Sequence, residues 1–309
     1  MSRAPTAFAP GHDSMEIARR RFLEDTGWRR SRRATRDFIR RRPLGAAGAV
    51  IIILMILAAA LADVISPYDP VAQDFLDSLL PPSVQHPLGT DSFGRDVLSR
   101  LLHGARGALL VGFVSSLAGS TLGLVFGVIG AYFGGKVDEA IQRVMDVLIS
   151  FPLIVIAIAV VAALGPGVVN VIVAITVPVI PRVARVVRSS GLAVVRMPYI
   201  EAARSIGVQA PRIMFRHMVP NVFAPYLIML TAFLGQAILL EASLAYLGLG
   251  VVEPDPAWGL MLRGQGMQFL EQAPWLAVAP GVAISLAVFG FNLFGDSLRD
   301  ALDPRLRTA

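Results

Sequence analysis

The sequence predicts an all-α integral membrane protein with six transmembrane helices and both termini on the cytoplasmic side. Three observations carry that expectation. Of the 309 residues 55% are hydrophobic and only 16% charged, against roughly 25% charged in ordinary soluble domains. The apolar residues come in blocks long enough to cross a bilayer. The basic residues fall almost entirely on one side of those blocks. Cysteine is absent, which excludes disulfides and thiolate chemistry.

An uncharged crossing needs about 20 residues. The first candidate is 44–65, with Asp63 near its outer end, followed by 107–133 and 147–164. A fourth starts at 168 and runs past Pro178 and Pro181 into an Arg-bearing extension; 221–240 and 275–294 complete six. Ala60-Leu61-Ala62 has the look of a leader cleavage site. The polar segment before it is too long for an n-region and the apolar stretch too long for an h-region, so an uncleaved anchor is expected. In the second span Gly119, Gly123 and Gly127 form a small-xxx-small stripe suited to close helix packing. Phe151-Pro152 is expected to kink the third span near its cytoplasmic end.

The formal net charge of +6 is a local feature. The first 42 residues hold twelve Arg and five acidic residues, directly before an apolar block. Such a cluster is a topology determinant and a contact for anionic membrane lipid, and no nucleic-acid partner is expected. Residues 1–43 thus read as an Arg-rich cytoplasmic segment, with 16–42 either a basic interfacial helix, Trp28, Phe38 and Ile39 towards lipid, or disordered. Of the 28 Lys and Arg, 24 fall on the side of that segment: in it, at Lys136 and Arg143, between spans four and five, and in a cytoplasmic tail over 299–309. The outer loops hold only Arg95, Arg100, Arg106 and Arg263.

The first outer loop, periplasmic in this reading, covers 66–106. Its latter half, 91–103, spaces Phe93, Val97, Leu98, Leu101 and Leu102 as an amphipathic helix lying on the outer surface. The second, 241–274, is rich in turn residues and reads as a lid or docking surface, with Glu253, Asp255 and Glu271 as solvated charge. Catalytic signatures are missing: there are four His and neither HExxH nor G-x-S-x-G. Gly130 to Lys136 reads G-x-x-x-x-G-K, but Val137 stands where a phosphate loop needs Ser or Thr, and the run ends a membrane helix. No ATP, metal or other cofactor site is expected in this chain. Glu241 and Asp146 fall near span ends and Asp63 near a boundary, so no carboxylate is expected deep in a span for proton coupling. An external energy source follows.

The segment that carries function lies between spans four and five, within a cytoplasmic loop over 182–220. Pro198 suits a first helical turn, and Glu201 in that turn complements the helix dipole. Gly207 is placed to end this short helix; Pro211 starts a second, which Pro220 is expected to end before span five. With small Ala202 and Ala203 on its first arm, the elbow is a compact plug for a groove on a soluble partner, rimmed by Arg204, Arg212 and Arg216.

Glu201-Ala-Ala-Arg-Ser205, then Gly207 and Pro220, resembles the E-A-A-x-x-x-G motif of permease subunits of bacterial ATP-binding-cassette importers, with His217 and Val219 departing from its usual Ile and Leu. His86-Pro-Leu-Gly-Thr-Asp-Ser-Phe-Gly-Arg-Asp-Val-Leu-Ser-Arg100, Glu241-Ala-Ser-Leu-Ala-Tyr-Leu-Gly-Leu-Gly250 and Phe291-Asn-Leu-Phe-Gly-Asp-Ser-Leu-Arg-Asp-Ala-Leu-Asp-Pro-Arg305 resemble the second permease of the dipeptide, oligopeptide and nickel importers. The likeness runs from about residue 44 to the C-terminus. It implies a type I importer fold in the inner membrane, with 107–298 as a five-helix core behind the first span. It also implies a homologous second permease, two ATPase subunits that hold the ATP and Mg, and a periplasmic or lipid-anchored substrate-binding protein. Glu201, Ala202, Ala203, Arg204, Ser205, Gly207 and Pro220 would form the coupling interface. Di- or oligopeptides are the implied cargo, with glutathione, opine-type conjugates or nickel chelates as alternatives. An intramembrane enzyme lacks its catalytic cluster here; a membrane scaffold without transport is the other competing class.

Overall fold

The computed structural model describes residues 42–302. The expectations for 16–41 and 303–309 lie outside that range. Among the described residues the fold is helical, without strands.

Helix α1 spans Pro43–Ala60 and breaks at Leu61 before a single turn, α2, Ala62–Ile65. A loop then leads to α3, Val97–Phe133, a helix of 37 residues and about 55 Å. It starts ten residues before the expected second span, so 97–106 belongs to it and not to the outer loop. Asp96 fixes that start as N-cap, accepting from the Ser99 N–H at 2.7 Å. The separate amphipathic helix expected over 91–103 is therefore corrected. Residues 91–96 form a turn held by Asp91, which accepts from the Phe93 and Arg95 N–H groups at 2.9 and 3.0 Å. The apolar period from Val97 onward belongs to the first turns of α3.

Gly134 and Gly135, with φ of +61° and +49°, turn the chain into α4, Gly135–Ile149. The G-x-x-x-x-G-K run is thus a corner between two helices. Helix α5, Leu153–Leu164, leaves α4 at 91° across residues 150–152. The expected third span over 147–164 is not one helix. Pro152, without an N–H and with its ring against the preceding turn, starts a new helix instead of kinking the old one. At 12 residues α5 reaches about 18 Å against the ~30 Å hydrocarbon core. By contrast α6, Val168–Val195, continues unbroken through Pro178 and Pro181.

After α6 come α7, Pro198–Ser205, and α8, Ala210–Ile213. A π-helical turn, Met214–Met218, leads into α9, Val219–Tyr246. Short α10, Trp258–Met261, and α11, Trp275–Leu302, complete the chain. Both last spans outrun their expected ends at 240 and 294; 241–246 is the last turn of α9 and 299–302 the last turn of α11. Among the described residues five helices are long and apolar enough to cross a membrane, or six crossings if the bent pair is counted as one.

The most extensive packing joins α3 to α6, and it uses the expected glycine stripe. A Cβ on Gly119, Gly123 or Gly127 would stand 2.8, 2.6 and 2.9 Å from the Cβ of Val179, Val183 and Val187 in turn. Both helices read in fours here, so one ridge of valines fills one groove of glycines. Helix α1 packs on α11, and α11 on α9.

Two ties fix the ends of the bundle. Arg42 Nη1 donates to the Ser297 carbonyl at 2.7 Å, joining the start of α1 to the end of α11. The Gly167 N–H donates to the Gly250 carbonyl at 3.2 Å, joining the α5–α6 loop to the loop after α9. With alternating crossings, α7 and α8 share the first end; 66–96 and 247–274 share the other.

Candidate functional site

The segment between α6 and α9 folds as an elbow. Pro198 occupies the first turn of α7, and Met197 before it is extended at φ −72°, ψ 139°, as the residue before a proline must be. Glu201 is the acidic residue of that first turn. The end of α7 is closed by the Gly207 N–H to Arg204 carbonyl bond at 3.0 Å and the Val208 N–H to Ala203 carbonyl bond at 3.0 Å. That is a Schellman pair, and it needs the first of its two donor residues to be left-handed. Gly207 supplies it at φ +77°, with open space where a Cβ would lie. Its requirement is purely conformational.

The hydrophobic partner of this cap is local. Ile200, Ala203 and Ile213 are buried together, with Val208, Tyr132 of α3 and Val195 of α6 against them. The two arms therefore close on each other and on the ends of two membrane helices.

Three expectations for the site residues are changed or sharpened at this point. Ala203 faces this small core, while Ala202 faces out. Arg204 stays exposed at the rim, with its guanidinium 4.7 Å from the Tyr132 ring centroid at the end of α3. A third concerns Pro220, which does not end the second arm: the helical run continues from Ala210 to Tyr246. Pro220 lacks an N–H for the preceding turn, and the π turn over Met214–Met218 immediately before it absorbs the missing bond. The second arm of the elbow is thus an extension of α9.

The outward face carries Glu201, Ala202, Ser205, Gly207, Arg212 and Arg216, with Ile206 81% and Phe215 72% exposed. These two apolar side chains were not among the sequence candidates. Ile206 is the last residue before the left-handed glycine, a position that turns its side chain outward, and that was the available signal. Phe215 sits on the π turn, which shifts its direction by an amount no sequence period encodes.

The far end of the bundle is a clasp. Arg95 Nε donates to Asp91 Oδ2 at 2.6 Å and Arg95 Nη1 to Glu253 Oε2 at 2.8 Å. Arg100 Nη1 donates to the Pro70 carbonyl at 2.9 Å. His86 Nδ1 lies 3.0 Å from Asp96 Oδ1, and its ring stacks on Tyr68. Trp258, fully inside, donates from Nε1 to the Leu101 carbonyl at 2.9 Å. Glu253, exposed as expected of surface charge, also bridges the two outer loops. Beside the clasp, Asp63 accepts from Arg106 Nη1 and Nη2 at 2.8 and 2.9 Å. Hydrogen bonding to Arg106, aided by His103, holds the Asp63 carboxyl below its ordinary range.

Glu241 keeps its expected place near a span end, five residues before Tyr246. It lies inside α9 and is 2% exposed, with Oε2 lacking a hydrogen-bond partner among the described residues. The carboxyl is thus enclosed by protein near one end of a spanning helix.

Known proteins place this architecture. Residues 119–308 match the family described as binding-protein-dependent transport system inner membrane component. Residues 28–82 match the N-terminal TM domain of oligopeptide transport permease C. The chain is 39% identical over 270 residues to the dipeptide transport system permease protein DppC of Alkalihalophilus pseudofirmus, covering 87% of this chain and 88% of that one. It is 42% identical over 274 residues to the glutathione transport system permease protein GsiD of Pectobacterium atrosepticum, covering 88% and 90%. A solved inward-facing form of the MetNI methionine ABC transporter aligns at a TM-score of 0.49 and 21% identity, over 66% of this chain and 96% of that one. On the family match and these relatives, the chain belongs to the inner-membrane components of binding-protein-dependent transport systems and is a multi-pass permease of the inner membrane.

Proposed function

We propose that this permease is one of two homologous membrane subunits of an ATP-driven importer of di- and oligopeptides, and that its elbow receives the work of two separate ATPase subunits. The observation that carries the reading is the elbow itself. A short helix with a Schellman stop projects from the bundle on a small core of its own. It presents Glu201, Ser205, Ile206, Arg212 and Phe215 outward at the end of the molecule that the basic residues mark as cytoplasmic. ATP and Mg belong to the ATPase partners. ATP binding draws those partners together, the docked elbows follow, and the bundle exchanges an inward opening for an outward one. An external binding protein delivers cargo to the opposite end, where the clasp of Arg95, Asp91 and Glu253 holds the two outer loops as one surface.

Peptide cargo is favoured by relatives named for dipeptides and for di/tripeptides. Glutathione, itself a tripeptide, is the second reading, favoured by the relative of that name at 42% identity. The complex reconstituted with its ATPase and binding-protein partners tests both parts. Glu201→Arg or Gly207→Asp is expected to leave ATP hydrolysis measurable and reduce uptake at least tenfold. Uptake at the wild-type level in both variants would overturn the coupling role. Competition of labelled dialanine uptake by glutathione ranks the two cargos.

A further inference from the structure

Helices α9 and α11 leave between them a groove that is polar where a lipid-facing surface cannot be. On α9 the exposed row Ala232, Gln236, Leu239 puts an amide in the middle of a spanning helix. On α11 Asn292, Asp296 and Arg299 are exposed one above another at spacings of four and three, on a single face. Ile228 and Ala232 meet Asn292, Gly295, Asp296 and Arg299 around a cavity of about 200 Å³. Gly295 keeps it open and the helices close: a Cβ there would stand 3.3 Å from Thr231 Oγ1. Asp300, by contrast, is spoken for by Arg42 at 3.5 Å. No hydrogen bond or ion pair engages Gln236, Asn292, Asp296 or Arg299 among the described residues.

Gln236 and Asn292 lie within the crossing, and polar side chains there that lack a protein partner face water or a second protein, because hydrocarbon offers no hydrogen bond. Asp296 and Arg299 stand at the mouth of the groove, level with the Arg42–Ser297 tie. The neighbouring face of α11 shows what lipid contact looks like here: Val278, Val282, Leu286 and Phe289 are exposed and wholly apolar. The boundary between these stripes therefore separates lipid from something wet.

We propose that the α9–α11 groove is this chain's wall of the translocation pathway, and that Asp296 and Arg299 form a station for a zwitterionic peptide, the carboxylate taking its ammonium and the guanidinium its carboxylate. The two side chains sit three residues apart without pairing with each other, which leaves both charges available to cargo. Asn292, one turn deeper, and Gln236 across the groove offer amide donors and acceptors to a peptide bond. The station rests on the peptide reading above; the wet wall does not.

Because the chain has no cysteine, single cysteines report water directly. Gln236→Cys and Asn292→Cys are to be compared with Leu286→Cys and Phe289→Cys, in the assembled complex in membranes, using a charged thiosulfonate reagent. The groove positions are expected to react at least tenfold faster than the apolar pair. Equal, slow reaction at all four overturns the wall. Reaction at Gln236→Cys and Asn292→Cys in the lone subunit but not in the complex also overturns it, in favour of a protein interface.

For the station, uptake of dialanine is compared with that of its N-acetyl and C-amide forms. Asp296→Asn is expected to lower uptake of free dialanine about tenfold, the loss of one charge-assisted hydrogen bond. Its effect on the N-acetyl form should be small, and Arg299→Gln should behave likewise towards the amide. Loss that is equal for free and blocked peptides refutes the station while leaving the peptide reading intact. No dialanine uptake by the wild-type complex refutes the peptide reading, and with it the station, while the labelling result stands.

Discussion

Replacing Gly123 by alanine adds one methyl group at the tightest point between α3 and α6. That Cβ would stand 2.6 Å from Val183 Cβ, 2.8 Å from the Ile180 carbonyl oxygen and 3.0 Å from Ala184 N. Carbon atoms settle at about 3.5–4.0 Å, so α6 must retreat by about 1 Å. Two of the obstructing atoms are backbone and cannot rotate away. A retreat of that size also opens gaps at Gly119 and Gly127, and a gap of about 0.5–1 Å already forfeits a quarter to a half of each contact's attraction. Overpacking of this kind costs about 1–3 kcal/mol. Gly107 on the same helix is the matched control, since a Cβ there meets nothing within 4 Å. Alanine at 107 should instead gain up to about 1 kcal/mol of helix propensity. Thermal unfolding of the detergent-solubilised permease measures both. Gly123→Ala is expected to melt below the wild type and Gly107→Ala at or above it. Equal melting of the two variants would refute the valine-in-glycine packing.

Three further outcomes follow from the same geometry. Gly207→Ala forces a β-carbon into a left-handed residue at a cost of about 1–2 kcal/mol, whereas Gly207→Asn costs less; tryptic cleavage at Arg204 and Arg212 should accelerate about fivefold in the first and less in the second. Arg95→Met strands the buried Asp91 and should destabilise the outer clasp by about 3 kcal/mol, while Glu253→Gln, at a half-exposed partner, should cost under about 1 kcal/mol, both read by limited proteolysis of residues 66–96. Asp63 titrates below its unfolded value, so its bond to Arg106 stabilises the fold above the ordinary aspartate pKa of about 3.9 and is lost as the pH falls through the lower folded value. Asp63→Asn should therefore melt below the wild type at pH 7, and the two should converge in strong acid.

The helices of this chain were legible because apolar blocks of bilayer length leave the backbone no alternative. Their number, the glycine stripe and the Pro198–Gly207 arm of the elbow all follow from residues whose physics is local. What escaped reading depends on partners distant in sequence. The outer helix over 91–103 dissolved into α3 because Asp91 and Asp96 cap a turn at positions that apolar spacing ignores. Pro152 and Pro220 read alike, yet one starts a new helix at 91° and the other is absorbed by a π turn. Ala203 looked like docking surface until Ile213 came to cover it. Glu253 is solvated as read, but its bond to Arg95, 158 positions away, was not legible. At the elbow, sequence identified the rigid part and missed the two side chains, Ile206 and Phe215, that project furthest.

Docking of that elbow on an ATPase is the claim on which the rest depends. A benzophenone amino acid placed singly at 206, 208 or 286 in the assembled importer, irradiated and analysed for covalent adducts, tests it directly. Position 206 points outward, 208 into the elbow's own core and 286 to lipid. An adduct with the ATPase subunit from 206, and none from 208 or 286, is the predicted result. No ATPase adduct from 206, or adducts from 206 and 286 alike, would contradict it.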